Sequence, residues 1–160
     1  MSGVANVLMG IMGGAMSIGL TLAGGSHLAP RFAEAERTAK AAMVITAVKQ
    51  TGHAVSMASA LDGGVGTGLA GTRSLISSGW LVAAPTNPTS DQPAGSPVLT
   101  IAADGTRYVR MPLIADDGTL CEAVAKQSGT VAAVRSVDAA APVSGCAYDE
   151  DGRPLAFMKV

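Results

Sequence analysis

The sequence predicts an α+β protein: one long N-terminal helix, apolar in its first half and amphipathic in its second, followed by a small head of short strands and helices. Three observations predict it. Residues 1–30 contain no Asp, Glu, Lys or Arg. Residues 31–61 interleave charged and apolar side chains at three- and four-residue spacing, the period of a helix with one buried face. Beyond residue 61, Gly, Pro and Asp-Gly pairs cut the chain into short apolar runs, the punctuation of strands and turns. The chain therefore divides into an apolar helix (1–30), an amphipathic helix (31–61) and a globular α+β head (62–160).

The apolar run over residues 3–25 is long enough, at about 1.5 Å of rise per residue, to cross a ~30 Å hydrocarbon layer. It is built largely of Gly, Ala, Ser and Met and holds no aromatic residue. Small residues let neighbouring helix backbones approach closely, so this segment suits packing against other helices. Its N-terminal side lacks the Lys or Arg of a secretory leader. The expectation is that processing is complete and Met1 is the mature N-terminus. Gly13, Gly14, Gly24 and Gly25 each cost ~1 kcal/mol relative to Ala inside a helix and, with Pro30, mark the places where the helix melts or kinks. Pro30 either opens a second helix or bends a continuous one.

In the amphipathic half, Arg31, Glu34, Glu36, Arg37, Lys40 and Lys49 alternate with Phe32, Ala35, Ala39 and Met43, and Glu36 with Lys40 makes a favourable i,i+4 pair. Residues 62–71 (DGGVGTGLAG) end the helix. They contain a formal G-x-G-x-x-G at Gly66, Gly68 and Gly71, but a dinucleotide site needs that pattern between a strand and a helix, so a turn is expected. A short helix over residues 72–78 should stop at Gly79, with an apolar strand or anchor starting at Trp80. The proline-rich segment 83–97 reads as a loop. Residues 98–102 and 106–114 read as a hairpin across Asp104 and Gly105, with Pro112 placing the second run at a sheet edge or bulge. Thr119 and Glu122 match a capping box for a short helix to Gln127. Residues 130–137 read as a strand, and residues 146–160 as a final hairpin about Asp151 and Gly152.

Composition narrows the function. One modest domain follows from 160 residues less the apolar arm, and with 48% hydrophobic but only 3% aromatic residues its core must come from Ala, Val, Leu and Met. A formal charge of -1 gives no electrostatic basis for nucleic-acid binding. His27 and His53 have no Cys or acidic cluster at ligand spacing, so no metal and no cofactor is expected. No nucleophile motif is present; Asp104, Asp116, Asp117, Asp149, Glu150 and Asp151 fall at turns, where turn chemistry outweighs catalysis, and for the run Asp149, Glu150 and Asp151 a solvated turn outweighs a weak calcium site. No enzymatic activity is expected. Cys121 and Cys146 lie far from the arm, on the exported and oxidising side if the arm spans a membrane. A disulfide there, closing roughly 26 residues and contributing roughly 3 to 4 kcal/mol, is expected in preference to two unrelated free thiols.

Taken together these residues resemble a bacterial type IV pilin, in style closest to the type IVb group. The arm with VLMGIMGGAMSIG running into an Ala-rich amphipathic helix is similar to the pilin N-terminal helix. SLISSGWLVAAPTNP is similar to the loop leading toward the sheet, and TLCEAVAKQSG with SGCAYDEDGRPLAFMKV to the cysteine-bounded C-terminal region. The resemblance implies a long helix half embedded in a small antiparallel-sheet head, anchored in the inner membrane before assembly into an extracellular surface filament. It implies a homo-oligomer whose core is packed by Val7, Leu8, Ile11, Met12, Met16, Ile18, Leu20 and Leu22. It also implies a pilus assembly machinery, and a prepilin peptidase that processes and methylates the N-terminus at Met1. One departure stands out: where the family usually carries a glutamate at the fifth mature residue, this chain has Ala5, and no acidic residue precedes Glu34. Either assembly dispenses with that group, or the subunit is minor or divergent, or the mature start differs from Met1. The alternatives to a pilus subunit are a pseudopilin of a type II secretion system and a membrane-tethered periplasmic binding domain.

Overall fold

A computed structural model describes residues 3–61, 63–90, 95–114 and 118–160, with side chains from Ala29 onward. The elements run α1 (Gly3–Leu61), α2 (Gly68–Ser77), β1 (Val98–Ile101), β2 (Arg107–Pro112), α3 (Thr119–Gln127), β3 (Ser144–Tyr148) and β4 (Pro154–Lys159). The protein is α+β, with a long helix and one small antiparallel sheet, as its patterning predicts. By internal contacts it divides into two compact units, Met1–Glu36 and Arg37–Val160. The first is helical from Gly3 and carries Pro30 inside α1. The expected filament-core residues, Val7 to Leu22, and the glycines expected to weaken the helix have side chains outside the described residues. Among the described residues no helix is long and apolar enough to cross a membrane; the side chains of residues 3–25 are outside those described.

The second unit is organised by the sheet, whose order is β1-β2-β4-β3 with every neighbouring pair antiparallel. Alternation along the strands sends Leu99, Val109, Met111, Cys146 and Ala156 into one core shared with α1, α2 and α3. The α1 contribution is a stripe at helical spacing: Ala41, Val44, Val48, Thr51, Val55 and Ala58 are all buried. Each buried valine is worth about 1.5–3 kcal/mol relative to exposure. Alanines in this stripe replace the missing aromatics and let the helix lie close to the sheet. Gly52 is the tightest point, since a Cβ there would sit 2.8 Å from the Met158 sulfur. The buried Thr51 hydroxyl donates to the Ala47 carbonyl at 3.0 Å, so the stripe leaves no polar atom of that side chain unpaired. At the end of α3, Gln127 Nε2 donates to the Thr38 carbonyl of α1 at 3.0 Å.

Several local expectations are corrected. Helix α2 begins at Gly68 rather than residue 72, so the glycine motif lies across a helix start with no strand before it. Its spacing has a packing cause: a Cβ on Gly71 would fall 1.6 Å from the Gly66 carbonyl oxygen, so only glycine admits the turn that folds back over α2. Trp80 and Leu81 form no strand. Their N–H groups donate to the Leu75 carbonyl at 2.9 and 3.1 Å, closing the end of α2 after Gly79 takes φ 79°. Pro112 is not on an edge strand, because β2 lies between β1 and β4. The Leu113 N–H donates to the Pro154 carbonyl on the β4 side, so position 112 directs its missing N–H toward the β1 side, where β1 has already ended opposite Arg110. The N-cap of α3 is Gly118 at φ 93° rather than Thr119, which is the first helical residue, so the expected capping box does not frame this helix.

Residues 130–137 are not a strand either. They contribute a single bridge, Val134 beside Ala147 in the parallel sense, with the Val134 N–H donating to the Cys146 carbonyl at 2.9 Å. The Thr130 N–H instead closes α3 on the Ala125 carbonyl at 2.9 Å, and Val131 is fully exposed. The segment crosses the β3 edge and covers the second face of the sheet. There Val137, Ala147, Leu155 and Phe157 form a smaller core, with Tyr108, Val134 and Ala141 packed against it.

Candidate functional site

Cys121 and Cys146 are joined in a disulfide with a Cα–Cα distance of 5.4 Å, and both are buried. Cys121 sits on the first turn of α3 and Cys146 in the middle of β3. The 25-residue separation thus encloses α3 on the helix-packed face, the crossing of the β3 edge and the cover over the opposite face. His53 lies exposed on α1, and no group of three or more His, Cys, Asp or Glu suited to a metal occurs among the described residues. Asp149, Glu150 and Asp151 form a turn. Asp149 Oδ1 accepts from the Asp151 and Arg153 N–H groups at 3.0 and 2.8 Å, and Asp151 pairs with Arg153 at 2.6 Å across exposed side chains. On its solvent side α1 shows Met43, Met57 and Leu61.

Sequence reasoning missed three polar anchors. Asn87 is buried, with its amide donating to the Gly95 and Pro112 carbonyls at 2.9 and 2.7 Å and its oxygen accepting from the Thr89 N–H and hydroxyl at 2.9 and 2.7 Å. All its hydrogen-bonding capacity is used, which fastens the proline-rich loop to the end of β2. The only signal was an Asn within a Thr-Asn-Pro-Thr turn. Asp104, in the β1–β2 turn, accepts from the Thr106 N–H at 2.9 Å and from the Ala139 N–H at 2.8 Å. These bonds, Thr106 first and Ala139 second, with the Thr106 hydroxyl behind them, hold its carboxyl below the ordinary 3.8. Lys159 at the end of β4 donates to the Ala139 and Ala141 carbonyls. Asp104 and Lys159 together fasten the cover.

Between this cover and the β1–β2 turn runs a groove of about 600 Å³. Its floor is the outward face of the sheet, where Tyr108 and Arg110 alternate with the inward Val109 and Met111. Asp104, Arg135, Val137, Tyr148 and Glu150 also line it. Burial holds the Tyr108 phenol above its ordinary 10.0; Arg110 acts against this and Glu150 adds to it. The alternation of residues 107–112 was readable in the sequence, whereas the far wall was not, because it comes from the segment mistaken for a strand.

In comparisons with known proteins, no protein-family description, no curated protein and no solved structure matches the chain. Its function is therefore read from its own residues.

Proposed function

We propose that this chain is a structural subunit of a type IV pilus-like extracellular filament, pilin-like in fold and divergent or minor in kind. The observation that carries the reading is a division of labour within α1. Residues 41–58 supply the buried stripe under the sheet, so one half of the helix is spent on folding the head. The sequence of residues 1–30 has no formal charge and is rich in glycine and alanine, a composition suited to close helix-to-helix packing. On this reading copies of the chain meet through Val7, Leu8, Ile11, Met12, Met16, Ile18, Leu20 and Leu22. The inner membrane holds the arm before assembly, and a prepilin peptidase and assembly machinery act on it. The disulfide supports the same reading, since a cross-link buried in the head suits a protein exposed outside the cell.

Electron microscopy of surface material sheared from the producing cells, with mass spectrometry of its N-terminal peptide, tests the proposal. Filaments containing this chain with a processed and methylated N-terminus are expected. Monomeric membrane protein with an unmodified start would favour a tethered periplasmic domain instead.

A further inference from the structure

We propose that the groove on the outward face of the sheet is a binding site for a neutral saccharide. Its volume, about 600 Å³, falls in the range of small-molecule sites, about 300–1,000 Å³. The hydrogen-bonding groups that line it divide into two sets. Asp104, Asp138, Asp149 and Asp151 are engaged with backbone N–H groups or with Arg153. Arg110, Arg135, Glu150 and the hydroxyls of Tyr108 and Tyr148 make no hydrogen bond or ion pair with any described residue. Donors and an acceptor therefore stand unused around one concavity, beside the rings of Tyr108 and Tyr148.

The charge pattern selects the ligand class. Carboxylates outnumber guanidinium groups around the groove, so a polyanion is repelled. The same net charge would draw a cation, but Asp104, Asp138, Asp149 and Asp151 are already held by backbone N–H groups or Arg153, and Arg110 and Arg135 line the same space. A sugar hydroxyl both donates and accepts, so one uncharged ligand can pair with guanidinium N–H, phenol and carboxylate groups alike. The C–H face of a pyranose ring gives the tyrosine rings an apolar partner. The site stands whether or not the chain assembles into filaments.

Titration of the full chain with lactose, cellobiose and N,N′-diacetylchitobiose, followed by isothermal calorimetry, tests the proposal, with a sulfated heparin disaccharide as the anionic arm. At least one neutral disaccharide should bind with a Kd of about 1 mM. Arg135→Ala, at an exposed side chain without a hydrogen bond or ion pair, should weaken that binding roughly tenfold. Arg110→Ala should do the same. Absence of binding by all three neutral probes, binding of the sulfated probe alone, or affinity unaltered in Arg135→Ala would each overturn it.

Discussion

The two faces of the sheet are covered in different ways. On one, a regular helix lays Ala41, Val44, Val48 and Val55 against Val109, Met111 and Ala156, and the contacts recur with the helical period. On the other, an irregular segment brings Val134, Val137 and Ala141 over Phe157 and Leu155. That segment is positioned chiefly by Asp104 and Lys159 acting on its backbone. Periodic burial holds the first cover all along its length, while a few polar bonds at one end and a single bridge at the other hold the second. The difference teaches that a cover without secondary structure can still protect a core, provided its backbone groups are pinned.

The sharpest way to break this comparison is to remove one large, fully buried side chain from each core. Phe157→Ala, on the irregular side, should cost about 3–5 kcal/mol, and Met111→Ala, on the helical side, about 2–5 kcal/mol. Both residues are at most 1% exposed, so the irregular cover should exclude water as well as the helix does. Urea denaturation measures both. A Phe157→Ala cost below about 1 kcal/mol, a typical exposed-site value, would show that the second face has no true core.

The next effect is that of the disulfide, whose loop passes from one face to the other. In the chain-entropy model, closing a loop of this size contributes roughly 3 to 4 kcal/mol. The Cys121→Ser/Cys146→Ser variant should lose about that much, unevenly. Hydrogen exchange at the Val134 and Tyr148 amides, which bond across the β3 edge, should quicken more than exchange within residues 41–58. Equal acceleration on both faces would mean that the cross-link stabilises the head as one unit and that the contrast between the covers has no energetic content.

The same contrast governs what could be read from the sequence. The α1 stripe was legible because three- and four-residue spacing survives any detail of the head. Both hairpins were legible because Asp104-Gly105 and Asp151-Gly152 announce them, and Gly105 and Gly152 do take positive φ. Residues 130–137 were misread because Thr130, Val131, Val134 and Val137 carry strand propensity, whereas tertiary packing used only Val134 for pairing and turned Val137 onto Phe157. The groove was half legible for the same reason: β2 alternation shows Tyr108 and Arg110 on one face, but nothing local to Arg135 says which face of the sheet it will border. Asn87 was invisible because its partners, Gly95 and Pro112, come from a loop and a strand end without a period.

The smallest effect is acid loosening of the irregular cover. Asp104 is held below its ordinary 3.8 by the Thr106 and Ala139 N–H groups, which favour the charged carboxylate. A depressed folded-state value means that the contribution is fully present above pH 3.8 and is lost as pH falls through the lowered value. Solvent screens this exposed group, so the consequence is local opening rather than unfolding. Lowering the pH through that window should reduce the protection factor of the Ala139 amide, its exchange rate being compared with the intrinsic rate at each pH, while the amides of residues 41–58 stay protected. Asp104→Ala should reproduce the fast Ala139 exchange at neutral pH, where Lys159 still holds the Ala139 and Ala141 carbonyls. An Ala139 amide equally protected in Asp104→Ala and in the parent chain would assign the pinning of the cover to Lys159 alone.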